Sequence, residues 1–342
     1  MNIVAVTIKQ IADICGVSRG TVDRVINERG KVKPETEKLV RETAARLGYQ
    51  PNLAGRALAA RKRAFTIGVV LTSEGNAFFD DVLKGIARAE KEIADYGARV
   101  ILKTMRGYSS ARQIELISEL AEEADAVILN PVNDQHIKKR IDDLTEKGKC
   151  VITVNTDIQN SKRLCYIGSH YQKGGETACG MLGLITGGRA EIGIVAGSEK
   201  VLGHVQRVQG FLKTAQTRYP GFRVADTVQT DDDEIQAFEV TRGLLECYPR
   251  INALFIAAGG VYGTCRAVQS MGKKLNIVCF DSVPNTTEML KNGVIQAVIC
   301  QQPFTQGYRC VRIAFDTLLT GQKPEKEYFY CKNEIKIAEN IN

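Results

Sequence analysis

Apolar residues recur along this chain at two different spacings, and the change from one to the other falls near residue 64. Before it the spacing is helical. Thr7 and Gln10 form a capping-box pair, and Ile8, Ile11, Ala12 and Ile14 follow at a helix period. Gly16 ends that helix, Ser18 caps a second through Thr21, Val22, Val25 and Ile26, and Gly30 breaks it. Pro34 stands at the first position of a third helix, with Leu39, Val40, Thr43, Ala44 and Leu47 turned inward. The second helix has an unusual outer face: "GVSRGTVDRVINER" can bury only Val17, Val22, Val25 and Ile26, which leaves Arg19, Asp23, Arg24 and Arg29 outside.

From Phe65 onward, short runs of Val, Ile and Ala alternate with amphipathic stretches. "FTIGVVL", "ARVILK", "ADAVILN", "KCVITVN" and "CYIGS" predict one series of buried strands; "AEIGIVAG", "FRVADTVQT", "NALFIAAGG", "LNIVCFD" and "IQAVICQQP" predict a second. Continuous apolar strands separated by helices indicate parallel sheets covered on both faces. Two series of five therefore predict two doubly wound lobes, about 64–169 with 302–325 and about 170–301 with 326–342. The fold class is α plus α/β: a three-helix headpiece over 1–50, a linker over 51–63, and a two-lobed body over 64–342.

Charge separates the same two parts. Residues 1–63 hold 13 Lys and Arg against 6 Asp and Glu, whereas the remainder holds 33 against 33, so the net +7 lies wholly in the headpiece and linker. A basic segment on a neutral body points to a polyanion-binding module. Helix, short turn, helix, loop, helix is a helix-turn-helix arrangement, whose second helix enters the DNA major groove. Arg19 and Arg24 carry the fork that reads guanine O6 and N7. The ten cysteines are scattered without a C-x-x-C pair, which fits buried thiols in a reducing cytoplasm. "MNIVAV" has neither a basic n-region nor an h-region, and no apolar run has the length of a membrane span, so neither signal peptide nor membrane partner is expected.

"TIKQIADICGVSRGTVDRVIN" followed by "VKPETEKLVRETAARLGYQPNLAGRALA" resembles the headpiece of the LacI/GalR family of bacterial transcription regulators. The resemblance implies that Arg19, Gly20 and Arg24 fall on base-reading positions and that Thr21 and Asn27 lie near phosphates. Thr7, Ser18, Asp23 and Asn52 complete the candidate DNA-facing set. Gly20 brings no side chain to its position. Asp23 either pairs with Arg19 four residues earlier or accepts from a cytosine amine. In the linker, Asn52 can cap a helix of Leu53, Ala54, Arg56, Ala57 and Leu58, which is too short to be stable alone. The family implies a hinge helix there that folds on the operator, with Leu58 wedged into the minor groove. It also implies a homodimer, with a tetramer as the larger alternative, bound to double-stranded operator DNA.

Ligands of doubly wound sheets bind beyond the strand C-terminal ends. Asn76, Phe78 and Phe79 follow the first strand, Asn130 and Pro131 the third, and Asn155, Thr156 and Asp157 the fourth. Asp281 and Gln301 end two strands of the second series, Arg207 lies on the helix after "IVAGSEKVLG", and Ala258 sits in "AAGGVYG". Rings beside carboxamides, an Arg and an Asp suit a polyhydroxylated ring, whose apolar face packs on aromatics. Taken singly, Asp281 could equally cap a helix, Asn76 shape a turn, and Arg207 form a surface pair. The body also resembles the type I periplasmic sugar-binding fold, its ribose-binding members especially, in "NAFFDDVLKGI", "LNPVND", "VITVNTD", "IGSHYQKGG", "VQRVQGF", "CFDSVP" and "VICQQP". That implies that Asn76, Phe78, Phe79, Asn155, Arg207, Asp281 and Gln301 line a cleft. Asn155-Thr156 replaces the Asp-Arg of ribose binders and "AAGGVYG" replaces an Asn-Asp pair, so a sugar, a polyol or a cyclitol is expected as effector.

No Walker, G-x-G-x-x-G or G-x-S-x-G spacing occurs, His136, His170 and His204 have no metal-binding spacing, and "DDDE" at 231–234 reads as a solvated helix N-terminus. Neither enzyme activity nor a cofactor is expected. The reading is a cytoplasmic regulator, a repressor of carbohydrate-utilisation genes, controlled by a small carbohydrate-like effector. A phosphorylated metabolite or protein co-effector on the same scaffold is an alternative. An importer's solute-binding protein and a Rossmann oxidoreductase fit less well, the first for its signal peptide and the second for its glycine fingerprint.

Overall fold

The computed structural model describes residues 6–26, 30, 32–49 and 64–341. They divide into two compact units at Arg63/Ala64.

The first unit has three helices, α1 (Ile8–Cys15), α2 (Arg19–Ile26) and α3 (Pro34–Arg46). Thr7 and Gln10 close a reciprocal capping box on α1, and Gly16 ends it in the left-handed conformation at φ 64°. The Ser18 hydroxyl accepts the Thr21 N–H at 3.1 Å and so caps α2. Ile11, Ala12, Val22, Val25 and Val40 form the core, with Val17, Ile26, Ala44 and Leu47 around it. Leu39, expected to face inward, is 46% exposed, and Ile14, from the periodic set of α1, is 54% exposed. Each sits roughly a quarter-turn from the centre of its helix's buried stripe, which the 3.6-residue period moves past the neighbouring helix.

The second unit contains two sheets. The first joins β1 (Thr66–Leu71), β2 (Arg99–Thr104), β3 (Ala126–Leu129), β4 (Cys150–Val154), β5 (Cys165–Ser169) and β11 (Tyr328–Cys331), in the order β11-β5-β4-β3-β1-β2. The second joins β6 (Arg189–Ala196), β7 (Gly221–Gln229), β8 (Ala253–Ile256), β9 (Asn276–Phe280), β10 (Ala297–Cys300) and β12 (Glu334–Lys336), in the order β12-β10-β9-β8-β6-β7. Central strands such as β1, β3 and β8 are buried at every position, as a sheet covered on both faces requires. The covering helices are α4 (Phe78–Ala94), α5 (Ser110–Glu123), α6 (Gln135–Glu146), α7 (Tyr171–Thr186), α8 (Leu202–Arg218), α9 (Glu234–Cys247), α10 (Val261–Ser270), α11 (Pro284–Lys291) and α12 (Pro303–Thr320).

The chain passes between the lobes three times: from β5 to α7, from β10 to α12, which packs on α4, and from β11 to β12. The third passage corrects the expected lobe boundary. Tyr328–Cys331 pairs with β5 in the first sheet, parallel to it, and only β12 joins the second, antiparallel to β10. The passages also touch one another. The His170 ring lies 4.9 Å from that of Tyr330, and Gln302 bonds both Lys332 N at 3.3 Å and Glu334 at 2.8 Å. Among the described residues no helix is long and apolar enough to cross a membrane.

Candidate functional site

The C-terminal ends of the strands in both lobes face one cleft of about 310 Å³. All ten candidate effector residues line it: Asn76, Phe78, Phe79, Asn130, Asn155 and Thr156 from the first lobe, and Arg207, Ala258, Asp281 and Gln301 from the second.

Arg207, on α8, is 2% exposed. Its Nη1 donates to Ala257 O at 2.7 Å. Its guanidinium carbon lies 3.6 Å from the Phe280 ring centroid and 4.8 Å from that of Tyr171. Stacking between two rings holds the planar fork in place, yet Nε has no hydrogen-bond partner. Nearby, Gln301 donates its Nε2 to Asp281 Oδ1 at 2.7 Å, and its buried Oε1 is likewise unpartnered. Burial pushes the Asp281 carboxyl above its ordinary range, opposed by the Arg207 charge and the Gln301 hydrogen bond.

On the facing lobe, the Phe78 and Phe79 rings meet edge to face at 5.3 Å. Asn76 accepts the Phe78 N–H at 3.0 Å and so fixes the start of α4. Asn130 is tied to Thr72 twice, accepting its N–H at 2.8 Å and donating to its hydroxyl at 2.7 Å, so its amide holds the turn after β1. The Asn155 carbonyl accepts from both the Tyr166 and Tyr171 hydroxyls. Asp157, expected beside Asn155 and Thr156, turns away and accepts from Arg163 Nε and Nη2, both at 2.6 Å.

The lobes touch across this cleft. Tyr108 donates its hydroxyl to Asp232, Gly203 N donates to Thr156 Oγ1 at 3.4 Å, and Asn133 N to Lys200 O at 2.7 Å. Sequence reasoning missed Tyr108, Tyr171, His204, Asp232, Glu234 and Phe280, all of which line the wall. Tyr108, Tyr171 and Asp232 lie just beyond β2, β5 and β7, so the strand-end rule, applied to every strand, finds them. The solvated reading of "DDDE" is corrected at Asp232. Asp233 does cap α9, accepting from Ile235 N and Gln236 N at 2.9 Å, but the Asp232 side chain is only 10% exposed and turns into the cleft.

In the headpiece, Arg19, Gly20 and Arg24 form an exposed edge of α2. Arg24 folds back over Gly20, with Nε 3.1 Å from its carbonyl and Nη2 3.4 Å from the Thr21 hydroxyl. Thr7 and Ser18 are occupied as caps, and Asp23 is half-buried. Asn27, Asn52 and Leu58, with the hinge over 51–63, lie outside the described residues.

Comparison with known proteins agrees with both units. The model for bacterial regulatory proteins of the lacI family matches residues 7–52, and the periplasmic binding protein domain matches 67–323. Catabolite control protein A of Priestia megaterium is 28% identical over 293 residues, covering 82% of this chain and 84% of that protein. Ribose import binding protein RbsB of Bacillus subtilis (strain 168) is 26% identical over 277 residues, covering 81% and 88%. GanP, a glucose-galactose binding protein from Geobacillus stearothermophilus, superposes with a TM-score of 0.76 at 23% identity, over 82% of this chain and 99% of that one, a likeness of fold.

Proposed function

We propose that this chain, which belongs to the periplasmic binding protein domain family over residues 67–323 and matches the lacI family of bacterial regulatory proteins over 7–52, represses carbohydrate-utilisation genes under the control of a small polyhydroxylated effector held in the interlobe cleft. It acts in the cytoplasm as a homodimer, without catalysis, with one headpiece on each half of a palindromic operator. The effector favours the closed arrangement of the lobes. It changes operator affinity only as far as it binds one arrangement better than the other.

One observation carries the effector reading. The buried Arg207 Nε and Gln301 Oε1 have no partner, on a wall that also presents the Phe280 and Tyr171 rings. An orphaned donor and an orphaned acceptor cost stability unless something completes them. Hydroxyl groups, which donate and accept, suit both kinds of atom. Phe78 and Phe79 across the cleft supply apolar surface for the ring's C–H face.

The test is a thermal-shift screen against pentoses, hexoses, polyols and cyclitols. A ligand at a hundred times its dissociation constant stabilises by about 2.7 kcal/mol. Arg207→Lys removes the stacked fork and weakens a hit by about tenfold or more. A silent panel, or a hit that Arg207→Lys leaves untouched, overturns the reading.

A further inference from the structure

The acidic run Asp231–Glu234 and the glycine turn Ala257–Gly263 meet on one wall of the cleft. Asp232 Oδ1 accepts the Gly259 N–H at 2.8 Å, and Glu234 Oε2 accepts the Gly263 N–H at 2.6 Å. Gly263 lies in the first turn of α10, so Glu234 places an anion on that helix N-terminus. The contact needs glycine. A Cβ on Gly259 would come within 2.9 Å of Asp232, and one on Gly263 within 1.9 Å of the Glu234 carbonyl.

A glycine turn running into a helix N-terminus is the place where proteins ordinarily seat a ligand phosphate, because backbone N–H groups converge there on the dipole's positive end. Here two of those N–H groups, of Gly259 and Gly263, already have carboxylate partners from the protein itself. Across the cleft, the Phe78 N–H at the start of α4 is taken by Asn76.

The remaining charges reinforce this. Among the described residues lining the cleft, Asp232, Glu234 and Asp281 face a single guanidinium, Arg207. His204, 3.9 Å from Asp232, adds little positive charge, since burial lowers its pKa below the ordinary histidine value. Burial and the neighbouring Asp233 and Asp232 raise the Glu234 carboxyl, opposed by the Gly263 N–H, so this wall already resists the charge it holds. The orphaned Arg207 Nε and Gln301 Oε1, on residues only 2% exposed, mark the same cleft as a place for a ligand.

We propose that Asp232 and Glu234 are resident anions that occupy the glycine turn, so that the cleft rejects effectors bearing phosphate or carboxylate and accepts polyols that are uncharged or carry an ammonium group. This rests on the cleft being a polyol site. The phosphorylated-metabolite alternative raised by the sequence is thereby disfavoured.

The experiment compares matched ligands on the full-length protein by thermal shift and titration calorimetry: ribose with ribose 5-phosphate; glucose with glucose 6-phosphate, glucuronate and glucosamine; myo-inositol with its monophosphate. Any parent compound that binds is expected to exceed its phosphate or acid by at least about tenfold, as a like-charge contact in a confined site costs. In the Asp232→Asn/Glu234→Gln protein that ratio narrows, and the single variants narrow it by less. A phosphate or acid that binds better than its parent overturns the proposal. So does an unchanged ratio in the double variant and in both singles, since the discrimination is then steric. If no compound of any charge binds, the polyol reading fails first and takes this inference with it.

Discussion

Asn155 and Asp281 occupy equivalent places in the two lobes. Each is the first residue past the fourth strand of its series, each has a left-handed backbone, at φ 64° and 66°, and each donates its N–H to the next strand, at 2.9 Å to Ile167 O and 3.0 Å to Ile299 O. Asn and Asp enter this conformation more readily than other residues with a Cβ. The turn places both residues on the wall of the cleft, and the pair is the clearest trace of a shared design in the two halves.

Backbone and side chain can be separated at Asn155. Asn155→Gly keeps the left-handed turn and is expected to leave stability within about 0.5 kcal/mol, whereas Asn155→Ala loses about 1 kcal/mol to strain. Both lose the carboxamide, so both weaken effector binding alike. Thermal denaturation of the two variants, with and without a ligand found in the screen, resolves the two contributions.

Glu234 and His204 set opposite pH dependences. The folded Glu234 carboxyl is raised, so the fold is penalised at pH values above that raised value, and the penalty disappears below the ordinary carboxylate range. Glu234→Gln keeps an acceptor for Gly263 and is expected to raise the melting temperature slightly near pH 7 and to leave it unchanged below about pH 4. His204 is lowered in the fold, so the unfolded chain takes up that proton first and stability falls as pH drops below about 6.5. His204→Gln is expected to flatten that part of the curve. Melting scans from pH 4 to 8 on both variants, over about this range, check the two signs.

The headpiece divides into caps and readers. Thr7→Ala removes the capping box and is expected to cost the headpiece about 1 kcal/mol. Arg19→Ala, at an exposed position, leaves its stability unchanged while relaxing operator preference at one base pair by about 1–3 kcal/mol. Denaturation followed by binding to a selected operator and its single-base variants separates the two. Equal effects of both substitutions on stability would remove Arg19 from the reading edge.

The ten strands of the two series were legible because each is a dense apolar run between amphipathic segments, and the candidate cleft residues because they sit where such strands end. What stayed hidden depended on distant partners. β11 pairs with β5 across more than 150 residues of intervening chain, and its "YFYC" carries no alternation that identifies the sheet it joins. Asp232 reads locally as one more acidic residue before a helix. Its left-handed backbone, at φ 63°, and the Gly259 N–H turn it into the cleft, and neither is visible from residues 231–234 alone. Ile14 and Leu39 fit a helical period and still face outward, because the period fixes a stripe's direction but not its width.

The three passages between the lobes, held against one another at His170, Gln302 and Tyr330, behave as the pins of a door. A single strand between two bodies would let them slide, twist and swing. Three laid side by side leave one swing about a common axis. Whatever molecule sits between the walls, the same three passages and their mutual contacts constrain how the lobes can move about it. Residues in the cleft can therefore change while the passages that join the lobes stay as they are.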